Sequence, residues 1–308
     1  CRGFRNRAAE KEGESWENCL RERGEIIVNR YENVVYKMTD THPLYFDLEV
    51  PEDVENPPLI MWIHGGGWKD LNRKWNLVSN MSGRGYAVAS IDYRYSDEDC
   101  FPADIIDCKD ALWYLRKHAA EYGYDPEKII VAGDSAGGHL AELVGVSIGN
   151  RDWEREEEAD YGVCAVISFA GAVILGDDKL GIDNKVLTQL IGVDSRTKTY
   201  LSRVQAARPV NYINGTEPPF LLVYGTEDEY VAPRDPRTLR NALEEANVPV
   251  HMYYIPGGHH GNAGRLVDDI VCEFLDYYVK NKPTVVIPEL QKCHDRTVPF
   301  TERYIAVN

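Results

Sequence analysis

Ser135 sits in Gly133-Asp134-Ser135-Ala136-Gly137, a G-x-S-x-G pentapeptide. Glycines flanking a serine in this way suit a sharp turn that presents the hydroxyl as a nucleophile, because side chains there would collide with neighbouring elements. The pattern alone is weak. At about 7% glycine it arises by chance in on the order of a tenth of chains this long, and an ordinary helix N-cap is the plainer reading of such a serine. A serine nucleophile also needs a base, and the base an orienting acid. Histidines occur in Pro256-Gly257-Gly258-His259-His260-Gly261, and a carboxylate in Gly225-Thr226-Glu227-Asp228. His259 and His260 compete as base, with the spacing before Gly261 favouring His260. Glu227 and Glu229 rival Asp228, which loop position favours. Upstream, His64-Gly65-Gly66-Gly67-Trp68 offers three glycines whose N–H groups can turn toward an oxygen that gains negative charge. No G-K-[ST] follows it, which disfavours a phosphate loop.

These residues need elements to hold them. Strand signals fall at Glu25–Val28, Leu44–Val50, Leu59–Ile63, Tyr86–Asp92, Lys128–Ala132, Cys164–Ala170, Phe220–Tyr224 and His251–Ile255. The middle runs are continuous and Ile/Val/Leu-rich, as parallel strands buried on both faces are; the first two alternate, as an antiparallel edge would. Ile105, Cys108, Leu112, Leu115 and Ala119 form one helical stripe. Helical patterns also cover Gly137–Val146, Leu239–Ala246 and Leu266–Tyr278. The alternation predicts an α/β fold, an eight-stranded mostly parallel sheet with helices on both faces. Ser135 then lies between a buried strand and a helix, while His64, Asp228 and His260 follow strand ends, where sites of open α/β sheets form. Residues 173–215 interrupt the rhythm, with helical signals at Val186–Ile191 and Tyr200–Ala207, and read as a small cap. Residues 1–23 read as an N-terminal extension, 24–282 as the single α/β domain and 283–308 as a C-terminal tail. The acidic stretch Glu154–Asp160 reads as a solvated loop.

Composition bounds the partners. The chain has 308 residues, 44% hydrophobic and 27% charged, with net charge -16. That balance argues against nucleic acid and anionic surfaces and favours a neutral substrate. No apolar run is long enough to span a bilayer. Seven cysteines show no metal-like spacing, so neither a metal nor a cofactor is expected. Cys164 and Cys272 read as core; a Cys1–Cys19 or Cys100–Cys108 bridge stays open. Scattered cysteines favour a reducing, cytoplasmic compartment. The start at Cys1, without Met, makes a processed chain, secreted or lipidated at Cys1, the alternative.

The chain order Ser135, Asp228, His260 is that of α/β-hydrolases. His64-Gly65-Gly66-Gly67 with Gly133-Asp134-Ser135-Ala136-Gly137-Gly138 resembles the hormone-sensitive-lipase-like, bacterial family IV esterases. Asp92-Tyr93-Arg94, Phe101-Pro102-Ala103, Gly133 to Ala141 and Pro218-Pro219-Phe220-Leu221-Leu222 look most like the acetyl- and feruloyl-esterase-like carbohydrate esterases. The resemblance covers roughly residues 25–280. It implies Ser135 as nucleophile, His260 as base and Asp228 as acid. It also implies an oxyanion hole from the N–H groups of Gly66, Gly67 and Ala136, with His64 bracing their loop. The implied substrate is a short-chain acyl ester of a small molecule or an oligosaccharide. Trp68 and Tyr230 are candidate substrate-binding residues, Trp68 as a pocket-wall or packing residue, and Trp75 is a further candidate for the pocket lining; His139 is expected to pack or hydrogen-bond, His42, His118 and His294 to lie on the surface or in loops, and Asp92 and Arg94 to form a structural pair. The chain departs from the family at His259-His260-Gly261-Asn262, which lacks the usual aromatic, and at Val231-Ala232-Pro233, where a Pro often follows the Val directly. An arylformamidase-type amide hydrolase and a non-catalytic binding protein of the same fold are the competing readings. A second copy of the chain is the one protein partner the sequence leaves open.

Overall fold

The computed structural model describes residues 27–156, 159–176, 184–232, 235–261, 264–282 and 302–304. The strands are β1 (Val28–Met38), β2 (Pro43–Pro51), β3 (Pro58–Ile63), β4 (Ala87–Ile91), β5 (Asp125–Asp134), β6 (Ala165–Phe169), β7 (Phe220–Gly225), β8 (Val250–Ile255) and β9 (Glu302–Tyr304). The helices are α1 (Ala103–Lys117), α2 (Ala119–Tyr122), α3 (Ala136–Val146), α4 (Asn184–Ile191), α5 (Lys198–Ala206), α6 (Asp235–Glu245) and α7 (Arg265–Tyr278).

All nine strands form one sheet in the order β1-β2-β4-β3-β5-β6-β7-β8-β9. β1–β2 and β2–β4 pair antiparallel, and every other neighbouring pair is parallel. The expected eight strands are thus present and joined by a ninth. It is a three-residue strand against β8, inside the stretch expected to be only a tail.

Continuous apolar runs become central strands because each face of the sheet has its own core. Along β3, Leu59, Met61 and Ile63 enter one cluster and Ile60 and Trp62 the other. β5 divides the same way between Ile129 and Val131 on one face and Ile130 and Ala132 on the other. Burying each such side chain contributes about 1.5–3 kcal/mol, enough to offset the 1–2 kcal/mol, roughly, of ordering its backbone. The first face is covered by α1, α3 and α6 through residues such as Leu112, Leu140 and Leu239. The second is covered by α7 through Val267, Ile270 and Phe274, with Met81 of a short 3-10 turn.

Three expectations need correcting. The first strand is Val28–Met38, not Glu25–Val28, of which residues 25 and 26 lie outside the described residues. Register shifts between Tyr31 and Val34 and between Val35 and Lys37 interrupt its alternation, so the period of two is lost along the true strand. Glu154 is not solvated: it is buried and accepts from Lys109 Nζ at 2.8 Å and from the Gly149 N–H at 2.7 Å. Cys100 and Cys108 carry free thiols, and Cys164 and Cys272 are half-buried rather than core. Cys1, Cys19, Cys293 and His294 lie outside the described residues, as does the 1–23 extension.

Residues 173–215 leave the sheet between β6 and β7 and carry α4, α5 and a 3-10 turn, Pro209–Tyr212. Their segment 177–183 lies outside the described residues. A methyl of Val186 on α4 stands 3.6 Å from where a Cβ on Gly67 would be, so this excursion covers the glycine loop.

Candidate active site

β5 runs into α3 through Ser135, whose backbone sits at φ 54°, ψ −118°. A non-glycine residue there is strained, and the surroundings must hold it. They do so by leaving no room. A Cβ on Gly133 would lie 2.3 Å from the Gly137 carbonyl oxygen; one on Gly137 would lie 2.1 Å from that of Ile63. The Ser135 N–H donates to the Phe169 carbonyl at 2.8 Å. The serine thus stands at the N-terminus of α3, where free N–H groups and the helix dipole favour negative charge.

The loop after β3 is tied to this elbow by Asp134. Its Oδ1 accepts the Gly65 N–H at 2.8 Å and its Oδ2 the Trp75 indole N–H at 3.0 Å. Burial raises the Asp134 carboxyl to about 6, against those two hydrogen bonds and the nearby His260 charge. Gly66 has φ +101°, and a Cβ on it would overlap the Asp70 carbonyl at 1.9 Å; Gly67 has φ +60°. Only glycine suits Gly66 on both counts. His64 is buried and stacked on Tyr93, with centroids 4.4 Å apart. Its Nδ1 donates to the Gly65 carbonyl at 2.8 Å, and burial depresses its pKa to about 4, so a neutral ring braces the loop.

On the other side, Asp228 follows β7 and His260 follows β8. His260 Nδ1 lies 2.8 Å from Asp228 Oδ2. Asp228 Oδ1 accepts the N–H groups of Tyr230 and Val231 at 2.9 and 2.8 Å. Burial pushes this carboxyl up, but the bonds from His260 and the two amides outweigh it and hold the group below its ordinary range. An ionised Asp228 then fixes the proton on His260 Nδ1 and leaves Nε2 as the basic nitrogen. His259 instead lies 3.4 Å from Glu229 with its side chain mostly exposed. Among the rivals it is therefore His260 and Asp228 that the structure brings together. The Glu227 N–H donates to Gly258, joining the two loops.

Tyr230 is 62% exposed, its ring 5.1 Å from that of His260. Trp75 is 42% exposed beside Asp134. Of its two expected roles, pocket wall or packing, Trp68 takes packing. It is 3% exposed and donates from its indole to His139 Nδ1 at 3.2 Å, which leaves almost no surface for substrate. His139 packs as expected, its Nε2 donating to the Ala207 carbonyl at 2.7 Å. His42 and His118 lie in partly exposed turns, as expected, each beside a glutamate. Asp92 and Arg94 do not pair: Asp92 binds Arg73, and Arg94 binds Asp107 and Asp99. Pro233 and Asn262 lie outside the described residues. Asp134 as a tether was missed, because its position in the pentapeptide is the variable one. Among the described residues, no group of three or more His, Cys, Asp or Glu could hold a metal ion, and no helix is long and apolar enough to cross a membrane.

A family model described as BD-FAE matches residues 46–243. The chain is similar to LipM of Mycobacterium tuberculosis, a probable carboxylic ester hydrolase, at 31% identity over 66% of this chain and 49% of LipM. It is similar to the esterase LipQ of the same organism at 29% over 71% of this chain and 55% of LipQ. It therefore spans about half the length of these curated relatives. The carboxylesterase NlhH, also from M. tuberculosis, matches at 30% over 67% of each chain. Among solved structures, a truncated carbohydrate esterase from gut microbiota superposes with a TM-score of 0.72 at 24% identity, covering 81% of this chain and 96% of that one. Thermogutta terrifontis esterase 2 with propionate bound superposes at 0.65 with 26% identity, covering 83% and 95%.

Proposed function

The chain belongs to the BD-FAE family and has the α/β-hydrolase fold, and we propose that it hydrolyses carboxylic esters through an acyl-enzyme formed on Ser135. One observation carries the reading. A serine held at positive φ on a strand–helix elbow shares the carboxyl ends of the parallel strands with an Asp228–His260 pair at 2.8 Å.

Ser135 Oγ attacks the ester carbonyl while its proton passes to His260 Nε2. The N–H groups of Gly66, Gly67 and Ala136 hold the oxyanion, and Asp228 stabilises the imidazolium. The tetrahedral intermediate collapses, and the alcohol leaves with the proton from His260. Water, giving its proton to His260, then attacks the acyl carbonyl and releases the acid. These steps use this chain's groups and water.

The substrate is a short acyl ester, acetyl or feruloyl, of a small alcohol or a carbohydrate. The propionate bound to the Thermogutta esterase supports a short acyl group, and the carbohydrate-esterase neighbour supports the sugar. The cap packed against Gly67 also favours a short chain, and net charge -16 disfavours an anionic one. A panel of p-nitrophenyl esters of increasing length, acetylated xylo-oligosaccharides and methyl ferulate tests this. We expect turnover of acetyl or feruloyl esters and a fall with longer chains. Turnover of N-formylkynurenine without any ester hydrolysis would replace the reading with an amide hydrolase. Ser135→Ala is expected to lower kcat on p-nitrophenyl acetate by on the order of 10⁶-fold with the fold intact; substantial residual turnover rejects Ser135 as nucleophile.

A further inference from the structure

Glu142 is a fully buried carboxyl on α3, two helical turns beyond Ser135. The mechanism above does not use it. Its Oε1 accepts from the Ser168 hydroxyl of β6 at 2.7 Å and lies 3.3 Å from the Tyr224 hydroxyl of β7. That Tyr224 hydroxyl also donates to the Gly171 carbonyl at 2.9 Å. A Cβ on Gly171 would lie 2.5 Å from Glu142 Oε1 and 2.4 Å from Ser168 Oγ, so this backbone is pressed onto the carboxyl.

The contacts bracket one turn. Phe169, last in β6, accepts the Ser135 N–H at 2.8 Å. Ala170, next in the chain, sits at φ 50°, and its N–H is tied to Val223 at 2.9 Å. An alanine in the left-handed region persists only where its surroundings over-determine it. Ser168 and Gly171 flank Phe169 and the strained Ala170, and Glu142 reaches one directly and the other through Tyr224. We propose that Glu142 is a positioning residue for the nucleophile: its carboxyl fixes the turn after β6 that holds the Ser135 backbone. Tyr224 also stands four residues before Asp228, so the same carboxyl joins the strand that carries the acid to the helix that follows the serine. This rests on Ser135 being the nucleophile.

The carboxyl acts in its neutral form. Burial raises it to about 8, with the Asp235 charge adding to the rise and the Ser168 and Tyr224 bonds opposing it. These three face it from α6, β6 and β7. Asp235 is itself anchored to the N–H groups of Val173 and Ile174, just past the same turn. Ionising Glu142 would place a second negative charge beside this segment.

The experiment compares Glu142→Ala, Glu142→Gln and Ser135→Ala in the full chain. It follows kcat and KM on p-nitrophenyl acetate from about pH 6 to pH 10, with thermal melts. Ser135→Ala should be inactive, and that arm alone tests the nucleophile. Glu142→Ala should lower kcat about tenfold or more with KM within about twofold, as a displaced nucleophile does. Glu142→Gln keeps an acceptor and cannot ionise. It should recover kcat to within about threefold and hold it above the pH at which the wild type declines. Wild-type kcat in Glu142→Ala, or a Gln variant as impaired as the Ala variant, overturns the proposal. If Glu142→Ala does not fold, the alkaline limb decides: the same decline in wild type and Glu142→Gln overturns it too.

Discussion

Ser135 follows β5 and His260 follows β8, and the two regions are held in place by different forces. Around Ser135 the constraint is mainly exclusion. Gly133, Gly137 and Gly66 lie where any side chain would enter backbone atoms of another segment, so the elbow and the glycine loop interlock. Around His260 the constraint is mainly charge and hydrogen bonding: an ionised Asp228, two amides from its own loop and an imidazole 2.8 Å away. A region held by exclusion should fail when volume is added, with little regard to pH. A region held by charge should tolerate volume better and respond to protons.

The largest expected effect on stability is on the excluded side. Gly137→Ala would set a methyl 2.1 Å from the Ile63 oxygen and 2.5 Å from that of His64, both backbone atoms that cannot swing away. We expect a loss of about 3 kcal/mol or more, the upper range for overpacking. Gly149→Ala is the matched control: its φ of +85° is unfavourable, but nothing lies within 4 Å. It should cost only about 1–2 kcal/mol. Urea unfolding of both variants at two pH values measures the gap, and equal losses would break the comparison.

Next come the charged residues. His260→Ala should lower kcat by on the order of 10⁴–10⁶-fold, whereas His259→Ala, an exposed neighbour against Glu229, should stay within about twofold. Asp228→Asn should cost about 10⁴-fold by losing the orienting carboxylate. Its pH signature follows from the sign of the shift. Asp228 is more acidic folded than unfolded, so its stabilisation is present above the ordinary carboxylate range of about 4 and lost as pH falls through the lower folded value. Acid unfolding of wild type and Asp228→Asn should converge at low pH and diverge toward neutrality. Parallel curves would mean that Asp228 is not held as an anion.

The contrast also explains what was legible in the sequence. Exclusion leaves a trace in residue type, because only glycine meets it, so the elbow and the His64–Gly67 loop are visible as strings of letters. β3, β5, β6 and β7 are visible because burial on both faces makes them continuously apolar. Charge pairs leave no such trace. Glu154 looks like part of an acidic loop because its partner, Lys109, is 45 residues away. His259 and His260 cannot be separated until Asp228 is seen against one of them. Asp92 and Arg94, two residues apart, bind different partners altogether. The bulges in β1 erase its alternation, and β9 is three residues long with no pattern to find.

Asp134 is the exception that sharpens the comparison: a buried carboxylate on the excluded side, joining Gly65 to Trp75. Trp75→Phe keeps the ring and removes only the N–H, one of the bonds that lower the Asp134 pKa. The carboxyl should then rise further above about 6, so that more of it is protonated at a given pH. A protonated carboxyl is the weaker acceptor for the Gly65 N–H, and the glycine loop should loosen as pH falls. The stability sign is the reverse of that for Asp228: a carboxyl more basic in the folded state destabilises the fold as pH rises from about 4 toward its folded value. Trp75→Phe should therefore lower kcat/KM by about three- to tenfold, less than the 1.5–3 kcal/mol, roughly, of a fully lost charged hydrogen bond, since one partner remains. The loss should grow toward acid. A kcat/KM profile from about pH 5 to pH 9 reads this directly. A loss that is uniform across pH would make Asp134 a spacer and the elbow side steric throughout. A loss that deepens toward acid would mean that one charge stands inside the excluded region and sets how firmly the glycine loop meets the serine.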